Sequence, residues 1–125
     1  MDWSFDSRLP IYIQIVEQLK LAVVSGEYVP GERLPSVREL ASGAGVNPNT
    51  MQKALAELEG TGLVYSSRTS GRFVSDNAEL IAAAKNELAR KNILSFLSGM
   101  DRIGINLNES IELLKNFKSG GESDE

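Results

Sequence analysis

Apolar residues recur early in the chain at the spacing of an α-helix. Ile11, Ile15, Leu19 and Ala22 share one face, and Tyr12, Val16 and Val23 widen the stripe. Pro10 precedes it and Gly26 follows it, so a helix is expected over about 10–25. Pro30-Gly31 marks a turn. A second helix opens at Ser36, because Glu39 completes a capping box: the hydroxyl accepts from an orphan N–H and the carboxylate reaches back. Val37, Leu40 and Ala41 supply its inner face, and Ser42-Gly43-Ala44-Gly45 ends it. A third helix follows at once, with Asn47 as N-cap and Pro48 at the first position, where a missing N–H costs nothing. Val46 and Met51 can close a hydrophobic staple. Met51, Ala54, Leu55 and Leu58 face inward; Asn49, Gln52, Lys53 and Ala56 face out; Gly60 and Gly62 stop the helix.

The period then changes. Leu63-Val64-Tyr65 and Arg72-Phe73-Val74 are short, β-branched and aromatic, and they flank the polar stretch Ser66 to Gly71. That is the pattern of a small hairpin with an exposed tip. From about 77 the helical period returns through Leu80, Ala84, Leu88, Ile93, Leu97 and Met100, with Phe96 beside them and Gly104 as a natural terminator near 103. Asn106 and Glu109 form a second capping box, and Ile111, Leu113, Leu114 and Phe117 give the apolar side of a last helix. Residues 119–125 hold nothing to bury and are expected to be a disordered acidic tail. The expected fold is mostly α with a small β wing: a winged helix-turn-helix over 1–75, then two C-terminal helices over 76–118.

Composition removes most chemistry. The chain has 125 residues and neither His nor Cys. Histidine-activated nucleophiles, Cys/His zinc sites and thiol redox chemistry are therefore excluded. The carboxylates Asp2, Asp6, Glu17, Glu27 and Glu32 form no evident catalytic pair, and no glycine-rich phosphate loop precedes a helix. No enzyme activity, metal or cofactor is expected. Met1 to Pro10 lacks the apolar core of a signal peptide, and the run Leu21 to Val24 is too short to span a bilayer. A cytoplasmic protein without membrane contact is expected.

Three helices and a hairpin, with only a few residues between the second and third helices, place the third helix for entry into a DNA major groove. Its outward strip, Asn49, Thr50, Gln52 and Lys53, contains no carboxylate. Asn and Gln suit adenine edges, Thr a base or phosphate, and Lys guanine or phosphate. Arg38, near the start of the second helix, can meet phosphate together with free backbone N–H groups. Arg68 and Arg72 are placed for the minor groove or its walls. With Ser36, Asn47, Ser70 and Gly71 these are the candidate DNA-binding residues. The alternative is a winged-helix protein-interaction module without sequence-specific DNA binding; such a module has no reason to avoid carboxylates over 49–53.

The order and spacing of these pieces resemble the DNA-binding domain of GntR-type bacterial transcription regulators. The resemblance runs through Pro10-Ile11-Tyr12-Ile13-Gln14-Ile15, then Pro30-Gly31-Glu32-Arg33-Leu34-Pro35-Ser36-Val37-Arg38-Glu39-Leu40-Ala41. It continues through Gly45-Val46-Asn47-Pro48-Asn49-Thr50-Met51-Gln52 and Gly60-Thr61-Gly62-Leu63-Val64, about half the chain. It implies that Arg38, the start of the third helix (Asn49, Thr50, Gln52) and the wing around Arg68 and Gly71 approach DNA. Several family members carry arginines at the positions of Pro48 and Gln52, so their operator preferences do not transfer. A glycine often stands at Thr69 or Ser70, which implies a stiffer wing here. About fifty residues after the wing cannot hold the large effector domain of most relatives, and this tail resembles the YtrA-like subgroup, whose two short C-terminal helices serve dimerisation.

A homodimer is expected on physical grounds as well. Leu88, Ile93, Phe96, Leu97, Met100, Leu114 and Phe117 exceed what two helices bury within one chain, and two-fold symmetry doubles the DNA read over an inverted-repeat operator. The expected function is a dimeric repressor on double-stranded DNA; a small-molecule effector is not legible. The formal net charge of −4 is unusual for such a protein. Residues 1–75 carry seven basic and eight acidic side chains against six and nine over 76–125, so the acid excess lies mostly outside the reading head.

Overall fold

The elements run in the order α1 (Ile11–Val24), α2 (Val37–Ala44), α3 (Pro48–Gly60), β1 (Val64–Ser67), β2 (Gly71–Val74), α4 (Ala78–Arg102) and α5 (Leu107–Lys115). They come from a computed structural model that describes residues 1–118. The expected architecture, mostly helical with one two-stranded hairpin, is the one found. The stretch read as an acidic tail, 119–125, lies outside the described residues. The chain divides into a unit spanning Met1–Lys85 and a second beginning at Asn86. The first takes in the opening turns of α4, because Leu80, Ile81 and Ala84 pack against its core.

That core is the set of positions the periodicity selects. Ile15 and Leu19 of α1, Met51, Leu55 and Leu58 of α3, and Leu63, Val64 and Val74 around the hairpin are each at most 2% exposed. Full burial of such a side chain contributes about 1.5–3 kcal/mol. Two things were not visible in the stripe. Gln14 of α1 is buried among the apolar residues. Its amide, with that of Gln18 one turn later, clamps the chain before the helix. Gln18 Oε1 accepts from the Ser4 N–H at 3.2 Å and its Nε2 donates to the Ser4 carbonyl at 2.7 Å. Gln14 does the same to Asp6, at 2.8 Å in each direction. The intervening residues alternate, so Met1, Trp3 and Phe5 turn onto the core, with Trp3 and Phe5 stacked at 5.8 Å between centroids.

The junction of α2 and α3 is built from local signals. The capping box is present: Ser36 Oγ accepts from the Glu39 N–H at 3.1 Å, and Glu39 accepts from the Ser36 N–H at 2.9 Å. Gly45 ends α2 at φ 70, donating to the Ser42 carbonyl while Val46 donates to that of Ala41. This paired closure needs a left-handed residue, which glycine supplies without steric cost. Asn47 then caps α3, its side chain accepting from the Asn49 N–H at 2.7 Å. Only residues 45–47 separate the helices.

The hairpin is antiparallel, pairing Val64 with Val74, Tyr65 with Phe73, Ser66 with Arg72 and Ser67 with Gly71. Its tip is therefore Arg68 to Ser70, shorter than the polar stretch suggested, because Ser66, Ser67 and Gly71 join the ladder. The backbone ladder needs no apolar side chain at those positions. A segment before α2 runs along β2: Leu34 donates to the Arg72 carbonyl at 2.8 Å and Val74 to that of Glu32 at 2.8 Å. This ties the start of α2 to the wing.

In the second unit, α4 ends in the same glycine closure, Gly104 donating to the Asp101 carbonyl and Ile105 to that of Met100. The expected capping box opens α5, with Asn106 and Glu109 exchanging bonds of 2.9 Å. One expectation is corrected. Phe117 is not on the last helix, which stops at Lys115. The Asn116 side chain donates to the Glu112 carbonyl at 2.9 Å and satisfies a terminal acceptor there.

Candidate nucleic-acid interface

The first unit gathers three features that sequence reasoning assigned to DNA. The first is the exposed face of α3. Asn49, Gln52 and Lys53 are exposed and Thr50 is half-buried. Lys53 is not a loose charge: its Nζ lies 4.0 Å from the centroid of the Tyr12 ring, a cation–π arrangement that fixes the ammonium between α1 and α3. Asn47 is exposed but is used as the cap, so its side-chain oxygen is already engaged.

The second feature is the start of α2. Ser36 is occupied in its capping box, and hydrogen bonds to it hold the Glu39 carboxyl below the usual carboxylate range. Arg38, the second residue of the helix, is exposed and makes no ion pair among the described residues. A shallow cleft of about 230 Å³ opens beside it, lined by Arg33 to Val37 and by Gly71 and Arg72.

The third feature is the wing, where the structure redistributes roles. Arg68 is exposed at the tip and unpaired among the described residues, as is the Ser70 side chain apart from a 3.4 Å contact with Thr69. Arg72, expected at the groove with Arg68, is instead drawn back onto α3. Its Nε donates to Glu59 Oε2 at 2.5 Å, and the side chain is only 17% exposed. Ser66 Oγ donates to the other Glu59 oxygen at 2.9 Å. The bond from Arg72 is the main cause holding the Glu59 carboxyl below its ordinary value, opposed by partial burial and assisted by Ser66. Gly71 also has a structural reason to be glycine. Its φ is +97, and an added Cβ would stand 3.1 Å from Arg33 Nε. Arg33, absent from the sequence-based candidates, donates from Nε to the Ser70 carbonyl at 2.6 Å and so grips the wing tip's backbone.

Together these give a polar surface carrying the exposed cations Arg38, Lys53 and Arg68, with Arg33 exposed beside the wing tip. Of the acidic side chains in these elements, Glu39 and Glu59 are committed to the Ser36 cap and to Arg72, while Glu57 is exposed one turn after Lys53 on α3. In the second unit, Leu88, Leu97 and Met100 are half-buried, and Ile93, Phe96, Leu114 and Phe117 are exposed. Among the described residues, no cluster of His, Cys, Asp or Glu is arranged to hold a metal ion, and no helix is long and apolar enough to cross a membrane.

Comparison with known proteins finds relatives of this fold along most of the chain. Residues 11–74 match the bacterial regulatory proteins of the gntR family. Over 97% of its length the chain is 40% identical to YhcF of Bacillus subtilis, described as an uncharacterized HTH-type transcriptional regulator, and it covers that whole protein. It is 34% identical to the HTH-type transcriptional repressor YtrA of the same organism, over 90% of this chain and 88% of that one. A GntR family transcriptional regulator from Listeria monocytogenes superposes with a TM-score of 0.84 at 38% identity, covering 91% of this chain and 100% of that one. The DNA-binding domain of AraR, solved in complex with operator ORE1, matches 60% of this chain and 94% of its own, with a TM-score of 0.52 and 31% identity.

Proposed function

The chain belongs to the GntR family of bacterial regulatory proteins and is a DNA-binding transcription regulator of winged helix-turn-helix type; from that premise we propose that it is a dimeric repressor of the YtrA-like subgroup, acting in the cytoplasm on an inverted-repeat operator. In this reading α3 enters the major groove by its amino-terminal end. Asn49, Thr50 and Gln52 address base edges, and Lys53 a base or phosphate. Arg38 and the amino end of α2 meet backbone phosphate, and Arg68 at the wing tip meets the adjacent groove. Ser36, Asn47, Gly71 and Arg72 contribute by holding these groups in place. The observation that carries the reading is the carboxylate-free, exposed strip of α3 in one unit with an unpaired Arg38 and Arg68.

Dimerisation is supported by the apolar surface of the second unit. No residue of α4 is buried, and Ile93, Leu94, Phe96, Ile103, Leu107, Ile111, Leu113, Leu114 and Phe117 are between 38% and 73% exposed. A standard interface covers about 800 Å² per partner, and exposed apolar side chains are what it would draw on. The repressor YtrA, similar along nearly the whole chain, supports the subgroup and the sign of regulation.

Selection of genomic fragments by the purified protein, followed by titration of the enriched duplex at several salt concentrations, tests the proposal. Saturable binding of one short inverted repeat by two chains is expected. Affinity should fall steeply with salt as phosphate contacts release counterions. A failure to enrich any sequence, or one chain bound per repeat, would contradict it.

A further inference from the structure

We infer that Arg72 sets the base preference of Gln52, turning the glutamine into a pure hydrogen-bond donor toward DNA; this rests on the reading of α3 as the groove-entering helix. A free glutamine amide offers one acceptor and one NH₂ group. It can therefore bind adenine with two prongs, accepting from N6 and donating to N7. In this protein the amide is not free. Glu59 pins the Arg72 guanidinium against α3, with Ser66 holding the second carboxylate oxygen. Gln52, Ala56 and Glu59 follow one another at helical spacing, and the short Ala56 side chain leaves the path between the other two open. Arg72 Nη1 consequently reaches to 3.5 Å from Gln52 Oε1.

The orientation follows from chemistry rather than from that one distance. A guanidinium has five donors and no acceptor, so only the amide oxygen can face it favourably. The Gln52 NH₂ group is then left on the exposed side. A donor-only side chain pairs with acceptor edges. Guanine presents two of them together in the major groove, N7 and O6, whereas adenine pairs its single acceptor with a donor that the turned amide cannot satisfy. Gln52 thus reads guanine where an unconstrained glutamine reads adenine. Arg72 is a positioning residue, touching no base itself.

Binding-site selection from randomised duplexes with the full chain tests this, using wild type, Gln52→Ala, Arg72→Met and Arg72→Lys. Gln52→Ala identifies the base pair concerned as the one whose preference collapses. At that pair wild type should select guanine. Arg72→Met should move the ratio of adenine to guanine toward adenine by roughly tenfold, within the discrimination of one good two-pronged contact. Arg72→Lys retains a cation for Glu59 but has no second nitrogen to reach Gln52 while held there, so it should show the same shift while melting close to wild type. Adenine selected by wild type at that pair overturns the inference, as does an unchanged preference in a folded Arg72→Lys or Arg72→Met protein. So does a Gln52→Ala selection identical to wild type. Failure of wild type to enrich any sequence instead overturns the reading of α3 on which the inference stands.

Discussion

Replacing Gln14 by Met preserves the length of the side chain and deletes the clamp on the segment before α1. The wild-type amide accepts from the Asp6 N–H at 2.8 Å and donates to the Asp6 carbonyl at 2.8 Å and the Leu9 carbonyl at 3.1 Å. Each such bond is worth about 0.5–1.5 kcal/mol net, so three amount to roughly 3 kcal/mol. Asp6 is only partly buried, and water recovers some of its bonding, which leaves about 2 kcal/mol. For a unit of this size a loss of 1 kcal/mol lowers Tm by roughly 4–8 °C, so a fall of about 8–16 °C is expected. Trp3, the one tryptophan, supplies a second readout because the clamp holds it on the core beside Phe5. Its emission should move to longer wavelength in Gln14→Met, well below the melting midpoint, as the segment lifts. An unchanged emission together with a Tm within about 2 °C of wild type would refute the reasoning, since the amide bonds would then contribute nothing.

Leu58→Ala removes a side chain with no exposed surface in the centre of the core and should cost about 2–5 kcal/mol in urea unfolding. The Glu59 carboxyl lies below its ordinary value of 4.5 in the folded protein, so its contribution is fully present above that value and is lost as pH falls through the folded one. Melting curves between about pH 6 and pH 3 should therefore show wild type losing more stability than Glu59→Gln over the acid end of that range. Phe96→Glu places a charge on the apolar face of α4 and should give a monomer by sedimentation, with operator affinity reduced and the helical content retained.

What the sequence made legible was local. The boxes at Ser36/Glu39 and Asn106/Glu109, and Asn47-Pro48 before α3, each close within three residues, so the helix starts could be read from the residue types themselves. The core of α1 and α3 followed from period alone. Partner choice between distant side chains left no such signal. Arg33 finds the Ser70 carbonyl across 37 positions and Arg72 finds Glu59 across 13, so one arginine became a grip on the wing and another ceased to be a free wing cation. The segment before α1 was hidden for a related reason: Trp3 and Phe5 alternate with Asp2, Ser4 and Asp6, and only Gln14 and Gln18 reveal which face is turned inward. The structural reason for glycine at 71 was hidden as well, because its positive φ and its closeness to Arg33 are tertiary facts.

In the proposed complex two copies of this reading head address one operator. Hydroxyl-radical footprinting on the enriched genomic duplex tests it most directly. Two equivalent protected patches related by a dyad are expected, their centres one helical turn or about 34–36 Å apart, both weakened by Arg38→Ala. A single asymmetric patch, or uniform protection that no sequence distinguishes, would contradict it.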